Sequence, residues 1–165
     1  MDTQMIRRIA LNVMGKTVKT IDNILADVSQ QTATTYRDGG DGWTVLETLC
    51  HVRDFDAFFY GRAVMMLEQL TPHLPAYDHD ALAIERRYNE QNLKVVLEDL
   101  KASRERFITF FEGLSDEEWE RDGIHPERGY FTMTDAAMQV ATHDISHTEQ
   151  ITKILREKLT APATV

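Results

Sequence analysis

Apolar residues recur every three to four positions along four long stretches of the chain. These stretches cover residues 5–28, 44–70, 81–112 and 132–159, with their ends defined to within a few residues. This spacing places the apolar side chains of each stretch on one face of an α-helix. The sequence therefore predicts four amphipathic helices.

Capping signals mark the beginnings of two helices. Thr44 with Glu47, and Ser115 with Glu118, match the capping box, in which a hydroxyl and a carboxylate satisfy backbone N–H groups at a helix start. The first box opens the second long helix. The second box predicts an additional short helix that carries Trp119.

The segments between the long helices lack helical periodicity. Residues 32–42 are rich in Gly, Asp and Thr, residues 71–80 contain two prolines, and residues 120–132 form a long connection. No segment has a convincing strand pattern. Four helices with long loops predict an all-α four-helix bundle, a single domain over residues 1–160 with a frayed tail at 161–165.

Composition and charge exclude several classes of function. The chain has 165 residues, 18 basic and 27 acidic side chains and a formal net charge of −9, without a basic stripe that would attract nucleic acid. It has no apolar run long enough to span a membrane and no signal-peptide pattern. The single cysteine, Cys50, excludes an internal disulfide and a thiolate metal cluster. We therefore expect a cytoplasmic protein with neither nucleic-acid nor membrane partners.

A pair of histidines on the fourth helix is the sharpest chemical signal in the sequence. His143 and His147 are four residues apart, so both imidazoles lie on the same helix face and can point at one ion. Their neighbours on that face are apolar, which directs the imidazoles toward the core. Two neutral imidazoles gain nothing from each other, whereas a shared cation would satisfy both.

His51, on the apolar face of the second helix, is the candidate third ligand. Taken alone, such a histidine is more typical of a hydrogen-bonded core residue than of a metal ligand. His73, His79 and His125 fall in predicted loops and lack a helical face that would direct them inward.

Two better-known metal patterns match less well. The segment HDISH resembles the HExxH motif of zinc proteases, but Asp144 is shorter than glutamate and few residues follow His147. Di-iron bundles need Glu-x-x-His, whereas Glu47 precedes His51 by four positions. We expect Asp144 to point away from the histidine pair.

The placement of the histidines is similar to a known family. The similarity rests on two motifs, Trp43-Thr44-x-x-Glu47-x-x-x-His51-x-x-Asp54 and, 92 positions after His51, His143-x-x-x-His147-x-x-Gln150. Together they resemble the DinB/YfiT-like superfamily of metal-dependent enzymes over almost the whole chain. The resemblance implies a four-helix bundle, frequently dimeric, with a divalent ion bound by three histidines, which by position are His51, His143 and His147.

The resemblance also suggests a class of reaction. Relatives include transferases and isomerases that use a low-molecular-weight thiol such as bacillithiol or mycothiol. Three imidazoles leave a coordination position open, as in catalytic rather than structural zinc sites. The first hypothesis is therefore a metal-dependent enzyme that transfers such a thiol to an electrophilic small molecule. The alternatives are a hydrolase using metal-bound hydroxide and a non-catalytic bundle that binds or senses a metal or small molecule.

Zinc or nickel is the expected ion, and iron is also compatible.

Five further residues are candidates for roles around the ion. Asp54 and Glu47, each one turn from the second-helix histidine, could orient its imidazole or act as a general base, although the capping box already explains Glu47. Arg62 could bind an anionic substrate group or form an interior salt bridge. His125 and Arg128 lie in the loop before the fourth helix, which could cover a substrate pocket or be a solvated connection.

A stripe of small, mostly apolar residues on the fourth helix lies away from the histidine face. It could pack against another helix of the chain or against a second copy, and with the family habit it predicts a homodimer. The stripe comprises Ala137, Ala141, Ile145, Thr148, Thr152 and Leu155.

Overall fold

The fold was analysed in a computed structural model, which describes residues 2–160 and the side chains as far as residue 157. The predicted tail at 161–165 lies outside the described residues. In chain order the helices are α1 (Thr3–Leu25), α2 (Gln30–Thr35), α3 (Val45–Glu68), α4 (His79–Glu85), α5 (Leu93–Glu112), α6 (Asp116–Trp119) and α7 (Met133–Thr160). The long helices α1, α3, α5 and α7 confirm the predicted four-helix bundle.

The order of the helices around the bundle differs from their order in the chain. Helix α1 packs against α5 and α7, and helix α3 packs against the same two helices. The first two long helices are therefore diagonally opposite, whereas the helices of a simple up-and-down bundle neighbour each other in sequence order. This arrangement places α3 directly beside α7.

The predicted capping boxes are present. The Thr44 hydroxyl accepts a hydrogen bond from the Glu47 N–H, and the Glu47 carboxylate accepts one from the Thr44 N–H. Ser115 and Glu118 form the same reciprocal pair at the start of α6. Each box satisfies backbone donors that would otherwise lack partners at a helix start.

Two predicted segments differ from the structure in where their helices lie. The predicted loop at 32–42 overlaps α2 and contains a 3₁₀ turn at Asp38–Gly40. The predicted helix over 81–112 is interrupted between α4 and α5, because Arg87 adopts a left-handed conformation with φ of 51°. The Asn92 side chain then caps α5 by accepting hydrogen bonds from the backbone N–H groups of Lys94 and Val95.

The predicted loop at 120–132 contains a β-hairpin, so the expectation that the chain has no strands was wrong. Strands β1 (Asp122–His125) and β2 (Gly129–Thr132) pair antiparallel. Ile124 also exchanges backbone hydrogen bonds of 2.8 and 2.9 Å with Pro72 and Leu74. Four-residue strands are too short for period-two alternation to stand out in a sequence.

A polar belt divides the hydrophobic core into two halves. One half includes Met14, Phe55, Phe59, Phe107 and Val140, and the other includes Ile21, Leu49, Leu97, Leu100 and Ile154. On every long helix, buried polar residues fall between the two apolar sets. They are Thr17, His51, Asp54, Asp56, Arg104 and Asp144. The belt concentrates buried charged and polar side chains in the middle of the bundle.

None of the helices in the described part of the chain is long and apolar enough to cross a membrane.

Candidate metal centre

Three imidazoles meet in the polar belt where α3 faces α7. His51 extends from α3, and His143 and His147 extend from adjacent turns of α7. His51 Nε2 lies 2.8 Å from His143 Nε2, and one nitrogen from each of the three rings falls within 4.8 Å of the others. The structure therefore brings together the three residues that the sequence proposes as ligands.

The arrangement of the ring nitrogens fits a cation. Two facing Nε2 atoms can share at most one proton, whereas a divalent ion can accept the lone pairs of both. His147 Nδ1 lies 2.8 Å from Gln150 Oε1, which leaves its Nε2 available as a ligand. The Gln150 amide donates in turn to Asp38, at 3.1 Å. Ordered contacts of this kind fix the orientation of a ligating imidazole.

Burial keeps the three imidazoles uncharged. Loss of solvation, together with the neighbouring histidines, lowers the pKa of His51 to about 2. Burial also lowers the pKa of His143 to about 4 and that of His147 below its ordinary value. Because only the neutral ring offers a lone pair, the three residues have the protonation state that a metal site needs.

Behind His143 lies a fully buried ionic cluster. Arg104 forms ion pairs with both Asp56 and Asp144, and Asp144 also accepts a hydrogen bond of 2.9 Å from Thr17. Burial, the largest single effect, would raise the pKa of Asp144, but the Arg104 guanidinium and the His143 ring together hold it below its usual value. Asp144 Oδ1 lies 3.6 Å from His143 Nδ1, and neither atom has a hydrogen-bond partner among the described residues.

The expectation that Asp144 points away from the site is therefore wrong. Helix α7 is buried on two sides, against α3 and against α1, so a residue 100° around the helix from His143 is also inside. By electrostatic attraction, the Asp144 carboxylate beside Nδ1 favours the tautomer with the proton on Nδ1, which leaves Nε2 free toward His51. The sequence pattern did not reveal Arg104 and Asp56, because their pairing depends on contacts between different helices.

The two other candidate carboxylates have partners elsewhere. Glu47 is held in its capping box and accepts a further hydrogen bond of 3.1 Å from Arg37. Asp54 accepts hydrogen bonds of 2.8, 2.6 and 2.6 Å from Arg53, Arg86 and Tyr88. Within the described chain neither carboxylate is hydrogen-bonded to a histidine.

Of the three predicted substrate-binding residues, two are buried and one is exposed. Arg62 and His125 are 5% and 4% exposed, and their Nη1 and Nε2 atoms lie 3.1 Å apart. Arg62 forms no ion pair with any described residue, so the expected interior salt bridge is not present. His125 belongs to β1 and points inward, contrary to the expectation for a loop residue. Arg128 is exposed in the hairpin turn.

His79 is a fourth histidine at the site, although the sequence pattern predicts a loop at this position. It is the first residue of α4, whose start is capped by the Asp78 side chain. Its ring lies edge-on to His51 with the centroids 4.7 Å apart, and its buried Nδ1 has no hydrogen-bond partner in the part of the chain that the structure describes. The sequence does contain a signal for this helix start, because Asp78 is a good N-cap residue three positions before Ala81.

Aromatic rings enclose the imidazoles. Phe55 stacks on His143 with the centroids 3.5 Å apart and the planes 4° apart. The Trp43 ring lies 4.8 Å from His51, and its indole N–H donates to Asp80 at 3.1 Å. Low-polarity walls strengthen electrostatic interactions inside the site.

The sequence is similar to a known family and to several proteins within it. The family model described as the DinB superfamily matches residues 16–151. A protein from Bacillus pumilus (strain SAFR-032) is 28% identical over 137 residues, which are 82% of this chain and 75% of that protein. A protein from Bacillus cereus (strain 03BB102) is 30% identical over 148 residues, which are 90% of this chain and 80% of that protein. Both carry the name "Putative metal-dependent hydrolase".

A solved structure shares the fold. YfiT from Bacillus subtilis superimposes with a TM-score of 0.83 at 23% sequence identity, over 92% of this chain and 87% of YfiT. It is described as a probable metal-dependent hydrolase with an unusual four-helix bundle topology.

Proposed function

The chain belongs to the DinB superfamily, and on this premise we propose that it is a metal-dependent hydrolase of small molecules. The observation that carries the proposal is the convergence of three neutral imidazoles, from His51, His143 and His147, on one point of the bundle core. The names of the relatives support the same reaction class.

The proposed ligands are the Nε2 atoms of the three histidines. Asp144 orients His143, Gln150 orients His147, and Phe55 holds the His143 ring by stacking. A divalent ion held there would supply Lewis acidity, activating water and polarising a scissile carbonyl group. Three protein ligands leave room for these groups beside the ion. Zinc and nickel suit an all-imidazole site best, and iron is also compatible.

His79 completes the proposed site on the side of α4. Its unsatisfied Nδ1 offers a hydrogen-bonding nitrogen to substrate or water next to His51. The rings of Phe55 and Phe58 lie 6.1 and 6.4 Å from the His79 ring and form apolar walls beside it.

Transfer of a low-molecular-weight thiol is the second proposal. It would use the same imidazoles, and the burial of Cys50 indicates where the thiol must come from. Cys50 is buried and burial raises its pKa to about 12, so the protein's only thiol cannot act as the nucleophile. Any thiol would therefore have to come from a second substrate.

We also propose a homodimer. Ala137 and Ala141 of the small-residue stripe are buried within the chain, but Ile145 is 51% exposed at the centre of the same stripe. A second copy would cover this apolar position. Light scattering measures the molar mass of the wild-type and Ile145→Glu proteins in solution and so tests the dimer. A dimer that forms through this face should dissociate in the variant.

The main experiment measures bound metal and turnover on protein purified without an affinity tag. We expect about one divalent ion per chain, lost in His143→Ala and retained in the exposed control His73→Ala. Hydrolysis of p-nitrophenyl acetate should stop after chelation and return when the ion is restored. Metal content that is low in the wild type and unchanged in His143→Ala would refute the proposal.

A second assay separates the alternatives. Bacillithiol, glutathione or coenzyme A is supplied with a chlorinated aromatic electrophile. Turnover that requires the thiol, without ester hydrolysis in its absence, would favour the transferase. Stoichiometric metal with no turnover in either assay would favour a non-catalytic binding protein.

A further inference from the structure

The Arg62 guanidinium is a buried cation without a carboxylate partner in the described chain. Its Nε and Nη2 atoms donate to the Pro75 carbonyl at 3.2 and 2.6 Å. The rings of Phe59 and Tyr77 cover it, with distances of 5.0 and 5.1 Å to the ring centroids. Carbonyl and ring contacts offset only part of the cost of burying a charge, which a paired anion normally balances.

The remaining nitrogen of Arg62 faces another donor. His125 Nδ1 accepts a hydrogen bond of 3.2 Å from the backbone N–H of Glu127. In a neutral imidazole the proton must then be on Nε2, which lies 3.1 Å from Arg62 Nη1. With this tautomer, neither N–H group at the contact has an acceptor among the described residues, since a neutral imidazole can accept at only one of its two nitrogens. The Glu127 side chain, which is the acidic group nearest to His125 in the sequence, is exposed.

An external acceptor oxygen would satisfy both donors. We propose that Arg62 Nη1 and His125 Nε2 form a carboxylate-binding subsite, so that the substrate is a small ester or amide that also bears a carboxylate. A carboxylate fits better than a phosphate, because the subsite offers one charge and two donors. A phosphate carries up to two charges and three strong acceptor oxygens.

Aromatic rings connect this subsite to the three imidazoles. Phe55 stacks on His143 at 3.5 Å, Phe59 lies 4.4 Å from Phe55, and the Arg62 guanidinium lies 5.0 Å from Phe59. On the other side Tyr77 stacks on Phe58 at 4.0 Å, and Phe58 approaches His79. A substrate that reaches from Arg62 to the imidazoles therefore has an apolar middle. This substrate assignment rests on the proposed function, whereas anion binding does not.

Benzoate and benzamide test the subsite, because they have the same shape and differ in charge. We expect calorimetry or NMR titration of the full-length, as-purified protein to show benzoate binding at least about ten-fold tighter than benzamide. Equal affinity for the two probes would overturn the proposal. Inorganic phosphate binding as tightly as benzoate would overturn the choice of a carboxylate.

Variants locate the binding. Arg62→Met should weaken benzoate binding at least about ten-fold, and Arg62→Lys should weaken it less. Arg121→Met is the matched control, because Arg121, like Arg62, makes two hydrogen bonds to backbone carbonyl groups, in its case those of Met66 and Gln69. His125→Phe is the second variant should Arg62→Met not fold, since it keeps a ring and removes the donor. Unchanged benzoate affinity in the folded variants would overturn the subsite.

The outcomes separate this inference from the proposed function. Selective benzoate binding in a protein that neither holds metal nor hydrolyses esters would refute the hydrolase and leave the subsite standing. A metal-loaded hydrolase that binds benzoate and benzamide equally would refute the subsite alone.

Discussion

Replacing Arg104 with methionine should destabilise the bundle strongly. The Arg104 side chain is 2% exposed, and its partners Asp56 and Asp144 are 2% and 0% exposed. Removing the cation leaves two buried carboxylates uncompensated. Breaking one buried ion pair costs about 3–5 kcal/mol. Since Arg104 neutralises two carboxylates, we expect the loss in unfolding free energy to lie near the upper end of that range. This is a large share of the roughly 5–15 kcal/mol that stabilises an ordinary domain.

Urea unfolding followed by circular dichroism measures this loss. Chelator should be present throughout, so that metal binding does not contribute to the stability of either protein. Arg106→Met is the matched control, because Arg106 lies on the same helix and is exposed. We expect it to change the unfolding free energy by less than about 0.5 kcal/mol.

A double variant tests the electrostatic reason for the effect. Adding Asp144→Asn to Arg104→Met removes one of the two orphaned charges, so the double variant should be more stable than Arg104→Met alone. A loss below about 1 kcal/mol in Arg104→Met, or simple additivity of the two substitutions, would refute the reasoning.

Three further predictions concern single residues. Thr44→Ala should lower the unfolding free energy by about 1 kcal/mol, because α3 loses its N-cap, and a stability equal to wild type would contradict the capping role. Asp144→Asn should weaken metal binding about 10–100-fold in a chelator competition, since His143 loses its orienting carboxylate; equal affinity in the folded variant would argue against that role. Cys50 should react with a disulfide reagent only after unfolding, because the thiol is buried and its pKa is raised to about 12; rapid reaction in the native protein would disprove its inaccessibility.

The sequence by itself determined the features that depend on local periodicity. The 3.6-residue repeat of apolar positions identified the four long helices, and the Ser/Thr-x-x-Glu pattern identified the starts of α3 and of the short helix α6. The spacing of His143 and His147 placed both imidazoles on one helix face. The apolar face of the second helix made His51 a candidate third member, and the family resemblance strengthened that assignment, because a single histidine on such a face has no local signature of ligation.

Only the tertiary structure decided which distant residues meet. The diagonal arrangement of α1 and α3 brings α3 beside α7, and this contact assembles the three imidazoles. The pairing of Arg104 with Asp56 and Asp144, and the meeting of Arg62 with His125, join different elements. The elements that position His79 and His125 are a seven-residue helix and a four-residue strand. Such short elements contain too few residues for a repeat to be visible, so their inward direction is set by packing against the rest of the bundle.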